Sequence, residues 1–141
     1  MPAINFFEEG ISFTLKDKAK VRTWVTDTVI AEGYRLKELN YIFCSDEYLL
    51  QINQQYLNHD TLTDIVTFDN SEIPGNITGD IFISIERVRE NASKFNVSER
   101  DELHRVVIHG ALHLLGYTDK SKTDKVKMTE KEDFYLTKRT F

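Results

Sequence analysis

The stretch VSERDELHRVVIHGALHLLG, residues 97–116, decides how this chain folds. Ser98, followed by Asp101 and Glu102, has the form of a helix N-terminal capping arrangement. Gly116 is placed to stop the helix. At 100° per residue, Leu103, Val106, Val107, Gly110 and Leu114 fall on one side, and Ile108, Ala111, Leu112 and Leu115 cover much of the rest. A helix that is apolar almost all round is a buried one, so the other elements must pack about it.

Two histidines interrupt that apolar surface. His109 and His113 are four residues apart, about 40° apart round the axis, and their imidazoles leave the same face. This spacing lets one helix give two nitrogen ligands to one ion. An unpaired imidazole on a buried helix is costly, which favours a bound partner. Beyond Gly116 the chain can reverse, and Asp119 can reach back over the helix end as a third ligand. Three protein ligands leave one position open, the pattern of a catalytic rather than a structural ion. His104 lies five residues before His109, about 140° round the helix, and cannot share the ion. It reads as an ordinary, partly exposed histidine.

Such an ion acidifies bound water and polarises a substrate oxygen. In zinc peptidases the residue after the first histidine is a glutamate that acts as general base, and here it is Gly110. That counts against a peptidase. Two histidines and a carboxylate also suit non-haem iron oxygenases, but no site for an organic cosubstrate is visible.

Working outward, AINFFEEG and ISFTL read as a strand pair around Gly10. KDKAKVRTWVTDTVIAEG has helical spacing and ends at Gly33. LNYIFCS is a strand, and Ser45 or Asp46 can cap a helix running to about Tyr56. TDIVTFD and GDIFISI read as strands, and their continuous apolarity suggests central positions buried on both faces. Ser84 caps a helix over IERVRENASKF, and a last helix runs from about Thr123 to Leu136. The order is that of an α+β domain.

At 141 residues the chain has the size of one domain and buries a core without staples. The lone cysteine, Cys44, lies in an apolar run and reads as a buried, inert thiol. One cysteine and no secretory signal point to a reducing cytoplasm. The apolar runs fall far short of the roughly 20 residues that cross a bilayer. The net charge of −5 disfavours indiscriminate nucleic-acid binding. The charge is uneven, however. From Lys120 to Phe141, seven basic residues face four acidic ones, leaving +3 in this tail against −8 before it. That basic segment, directly after the candidate site, could hold phosphates.

These residues resemble the YbeY endoribonucleases, bacterial rRNA-maturation factors. HGALHLLGYTD is similar to the family pattern H-G-x-L-H-L-x-G-Y-D-H through His109, Gly110, Leu112, His113, Leu114, Gly116 and Tyr117. Upstream, INQQYLNHDTLTDIVTF matches the family's second stretch through Asn53, Tyr56, Asp60, Thr63, Asp64 and Phe68, and TGDIFIS resembles its G-D-I strand. The three segments come in the family's order and span roughly residues 40 to 136.

The resemblance implies one zincin-like α+β domain over residues 1–141, a small mixed β-sheet packed with about five helices. It implies one Zn2+ per chain on His109, His113 and Asp119, and hydrolysis of single-stranded RNA in 16S rRNA 3′-end maturation and ribosome quality control, with the small ribosomal subunit as partner. Lys120, Lys122, Lys125 and His59 are candidates for the phosphates. Two positions depart from the pattern. The family's third histidine aligns with Asp119, whose carboxylate is an acceptable zinc ligand. The family's arginine aligns with Leu57, and leucine cannot replace a guanidinium on phosphate. That departure keeps a second reading open, a non-catalytic metal-binding ribosome-assembly factor. A small hydrolase acting on other substrates is disfavoured by the resemblance.

Overall fold

The computed structural model describes residues 3–57 and 63–141. Among these the chain runs β1 (Ala3–Glu9), α1 (Lys18–Ala31), β2 (Arg35–Cys44), α2 (Asp46–Leu57), β3 (Ile65–Asp69), β4 (Asn76–Ser84), α3 (Ile85–Phe95), α4 (Glu99–Leu114) and α5 (Lys122–Leu136). One four-stranded sheet has the order β1-β2-β4-β3. β1 and β4 both pair in parallel with β2, and β3 is antiparallel to β4. The fold is α+β, as the sequence pattern predicts, with the mixed sheet that the family resemblance implies.

The N-terminal strand pair is not formed. β1 pairs with β2, Ile4 opposite Leu39, and residues 11–15 run on without a strand partner. Gly10 turns the chain at φ +69°, and Leu15, 5% exposed, is drawn into the core instead. β3 also differs from expectation: of the two strands expected at central positions, β4 is central but β3 lies at the edge. Its apolarity on both faces has another cause. Ile65 meets Gly110 of α4 on one side, while Val66 and Phe68 pack with Leu49 and Ile52 of α2 on the other. Two helices cover an edge strand, so its sequence reads like that of an interior one.

α4 is the buried helix its pattern demands. Val107, Ile108 and Leu112 are each 0% exposed, and each such side chain contributes about 1.5–3 kcal/mol. Ser98 caps the helix, its Oγ accepting from the Asp101 N–H at 3.0 Å. Ser84 and Ser121 cap α3 and α5 in the same way. Cys44 is fully buried, and burial pushes its thiol up to about 12. No helix among the described residues is long and apolar enough to cross a membrane.

His104 is not partly exposed but 1% exposed. It lies between the rings of Trp24 and Phe141, and its Nδ1 accepts from Arg139 Nη1 at 2.8 Å. The C-terminal residues fold back over it, a long-range contact that helical periodicity does not reveal. Burial, reinforced by the charges of Arg139 and Arg100, pushes its pKa down to about 4, against the opposing influence of Asp101 and Asp17. The unfolded chain protonates this ring below about pH 6.5, the folded chain only near pH 4. The stability due to the neutral ring is therefore complete above pH 6.5 and lost as pH falls towards 4, up to about 3 kcal/mol. Urea unfolding at pH 7 and pH 4.5 should show this loss, and a His104→Phe variant should lose correspondingly less. Equal pH dependence in the two proteins would refute the assignment.

Candidate metal centre

The last turns of α4 carry His109 and His113, with ring centroids 4.5 Å apart. The helix ends in a Schellman motif. The Tyr117 N–H donates to Leu112 O at 3.1 Å and the Gly116 N–H to His113 O at 3.1 Å, with Gly116 at φ +103°, where a side chain would be strained. The chain thereby reverses over the helix end. Tyr117 Oη donates to Glu32 Oε1 at 2.6 Å, Thr118 Oγ1 to Asp124 Oδ2 at 2.8 Å. These bonds pin the loop that carries Asp119.

Asp119 Oδ2 lies 3.5 Å from His109 Nε2 and 3.7 Å from His113 Nε2. One donor atom from each of the three residues lies within 4.8 Å of the others, a group that could hold a metal ion. The spacing suits an ion better than direct hydrogen bonds, being too long for the latter. Ligand atoms about 2.1 Å from a tetrahedral ion sit about 3.4 Å apart. Two imidazoles and a carboxylate are also a donor set that zinc accepts. The half-exposed Asp119 leaves one side of the group open to solvent.

The two imidazoles are in unlike surroundings. Burial disfavours a charged His109, but the hydrogen bond and charge of Glu132, with Asp119 and Asp64 behind, raise its pKa above the usual range. Burial and the neighbouring His109 lower that of His113. Burial also lifts the Asp64 carboxyl above its usual range, despite the opposing influence of His109. Asp64 is thus close enough to His109 for the two to influence each other. Asp80 is not part of this group. Its neighbours Gly79 and Ile81 face α4, so Asp80 faces the far side of the sheet, where it accepts from Asn40 and Asn70.

Lys120, Lys122 and Lys125 are exposed. Lys120 follows Asp119 directly, Lys122 opens α5, and neither Lys120 nor Lys122 is tied into an ion pair among the described residues. His59 and Asp60 lie outside the described residues. Sequence reasoning missed Glu132 and Arg105. Glu132, 6% exposed, shares the buried side of α5 with Met128 and Tyr135. A carboxylate at position i+4 of that apolar stripe was the available signal.

The family model described as Endoribonuclease YbeY matches residues 4–140. The chain is 54% identical over 138 residues to Endoribonuclease YbeY of Cytophaga hutchinsonii, covering 98% of this chain and 96% of that protein. It is 53% identical over 127 residues to the protein of the same name in Flavobacterium psychrophilum, covering 90% of each. A solution structure of TM1509 from Thermotoga maritima superposes with a TM-score of 0.66 at 30% identity, over 95% of this chain and 87% of that one.

Proposed function

The chain belongs to the Endoribonuclease YbeY family, and from that premise we propose that it is a metal-dependent endoribonuclease cleaving single-stranded RNA in the cytoplasm. Its role is 16S rRNA 3′-end maturation and ribosome quality control on the small subunit. One Zn2+ per chain is held by His109, His113 and Asp119. The observation that carries this reading is the convergence of those three donors, at 3.5 and 3.7 Å from a shared carboxylate oxygen.

When bound, zinc supplies Lewis acidity, polarising a phosphoryl oxygen and acidifying a water. The chain's own residues do the rest. His109 Nε2 and His113 Nε2, the ring atoms nearest Asp119, would hold the ion through their lone pairs, so neither ring would carry a proton at that atom. Lys120 and Lys122, with His59, neutralise the phosphates of the bound strand, because the charges of the two lysines are not spent on ion pairs among the described residues. Each lost phosphate contact should lower the salt slope of single-strand binding by about 0.7. A Lys120→Ala/Lys122→Ala double variant should therefore flatten the slope by about 1.4, read by fluorescence anisotropy on a labelled oligoribonucleotide between low and moderate salt. An unchanged slope would remove the two lysines from the interface.

The test of the function is cleavage of single-stranded rRNA by zinc-loaded protein beside a His113→Ala control. Cleavage by the native chain alone supports an enzyme. Equal cleavage by both indicates a contaminating nuclease. It favours the second reading, a non-catalytic assembly factor, which Leu57 at the family's arginine position motivates. Leu57→Arg should raise cleavage if that position meets the phosphate.

A further inference from the structure

We propose that Glu132 is a positioning residue of the metal centre, holding His109 in the one tautomer and orientation that turn its Nε2 towards the ion. This rests on the metal-centre reading above and adds a residue that no ligand motif contains. His109 Nδ1 and Glu132 Oε2 are 2.5 Å apart. An ionised carboxylate only accepts, so the ring must supply the proton at Nδ1. A neutral imidazole protonated at Nδ1 has its lone pair on Nε2, the atom that faces Asp119. The geometry therefore selects the tautomer that can bind a cation on the open side.

The carboxylate is itself held. Its other oxygen, Oε1, accepts from Arg105 Nη1 at 2.8 Å, and Arg105 Nη2 donates to Asp133 at 2.7 Å. Glu132 is 6% exposed, so water does not compete for either oxygen. Arg105 and His109 lie four residues apart on α4, which places them side by side on the helix. One carboxylate from α5 bridges that pair. α5 thus does more than cover the core: it locks the first ligand from behind, while the loop preceding it brings Asp119 to the front. Among the described residues no carboxylate hydrogen-bonds His113 from behind in this way, and its carboxylate neighbour is Asp119 at 3.7 Å. The two histidines are unequal ligands, and His109 is the better oriented.

The test uses the full chain and its Glu132→Gln variant. Zinc affinity is measured by competition with a chromophoric chelator. Imidazole 15N shifts of the metal-free proteins are recorded at alkaline pH, where both rings are neutral. Outer partners of this kind contribute about 10–100-fold to metal affinity, and Glu132→Gln should weaken zinc by that factor. Its side-chain amide offers both a donor and an acceptor, so His109 should shift from protonation at Nδ1 alone to a mixture of tautomers. Arg105→Gln, which keeps the carboxylate but frees it, should weaken zinc less. It serves as the second variant should Glu132→Gln not fold.

A merely structural glutamate would lower the unfolding temperature of the metal-free protein and change neither the affinity nor the tautomer. Unchanged affinity, or an unchanged His109 tautomer, in Glu132→Gln overturns the proposal while the metal centre stands. A native chain that takes up no zinc overturns both.

Discussion

Replacing His113 by alanine should weaken zinc binding by more than about 100-fold, since even outer-sphere partners contribute about 10–100-fold. RNA cleavage should fall with it, while the metal-free fold persists. The imidazole is 24% exposed, at the helix end, and its ring neighbour is His109 rather than the core. Removing it leaves the buried faces of α4 intact, so the unfolding temperature of the metal-free chain should change little. His109→Ala should lose the metal as completely but cost more stability. It strips one partner from the buried Glu132 carboxylate, and an orphaned buried acceptor costs about 1–3 kcal/mol. Elemental analysis of the purified variants, with thermal unfolding in a chelator, checks both statements. One zinc per chain retained in His113→Ala would remove that residue from the ligand set.

The second large effect is one of packing. A Cβ at Gly79 would lie 2.7 Å from the backbone oxygen of Phe68 and 2.8 Å from Leu114 Cδ1. The oxygen belongs to the paired strand β3 and cannot move without breaking the ladder. Gly79→Ala should therefore destabilise the chain by about 3 kcal/mol, the upper part of the usual range for overpacking, or about 10 °C in unfolding temperature. Because Leu114 adjoins His113, the helix end shifts as well, and zinc affinity should fall alongside stability.

Gly110 looks equally crowded, since a methyl added there would lie 2.8 Å from Ile65 Cδ1 and 2.9 Å from Ile81 Cγ2. These, however, are side-chain atoms that can rotate away. Alanine in the middle of a helix also gains about 1 kcal/mol over glycine. Gly110→Ala should thus cost less than Gly79→Ala, with a net effect between zero and about 2 kcal/mol. Chemical denaturation of the two variants side by side tests the order, and the reverse order would contradict this account.

Much of the candidate site was legible because it is local. Four residues of helix bring His109 and His113 to one face wherever the helix sits, and Gly116 ends that helix through its own backbone freedom. The caps at Ser84, Ser98 and Ser121 are likewise bonds between near neighbours. Asp119 was legible only as a reach, and the loop bonds to Glu32 and Asp124 give that reach its geometry.

What the amino-acid order determined by itself was a buried helix bearing two imidazoles, and the α+β character of the elements around it. Hydrophobic periodicity and capping act within a few residues and are written into any window of the chain. Only the tertiary structure decided that β1 would pair with β2, that β3 would lie at the edge, that His104 would be enclosed by the C-terminal residues, and that Glu132 would stand behind His109. The contacts behind these outcomes join residues far apart in the sequence, 23 between His109 and Glu132 and 35 both between His104 and Arg139 and between Ile4 and Leu39. Such contacts follow from which apolar faces meet when the core closes, a choice that no single stretch of the chain contains.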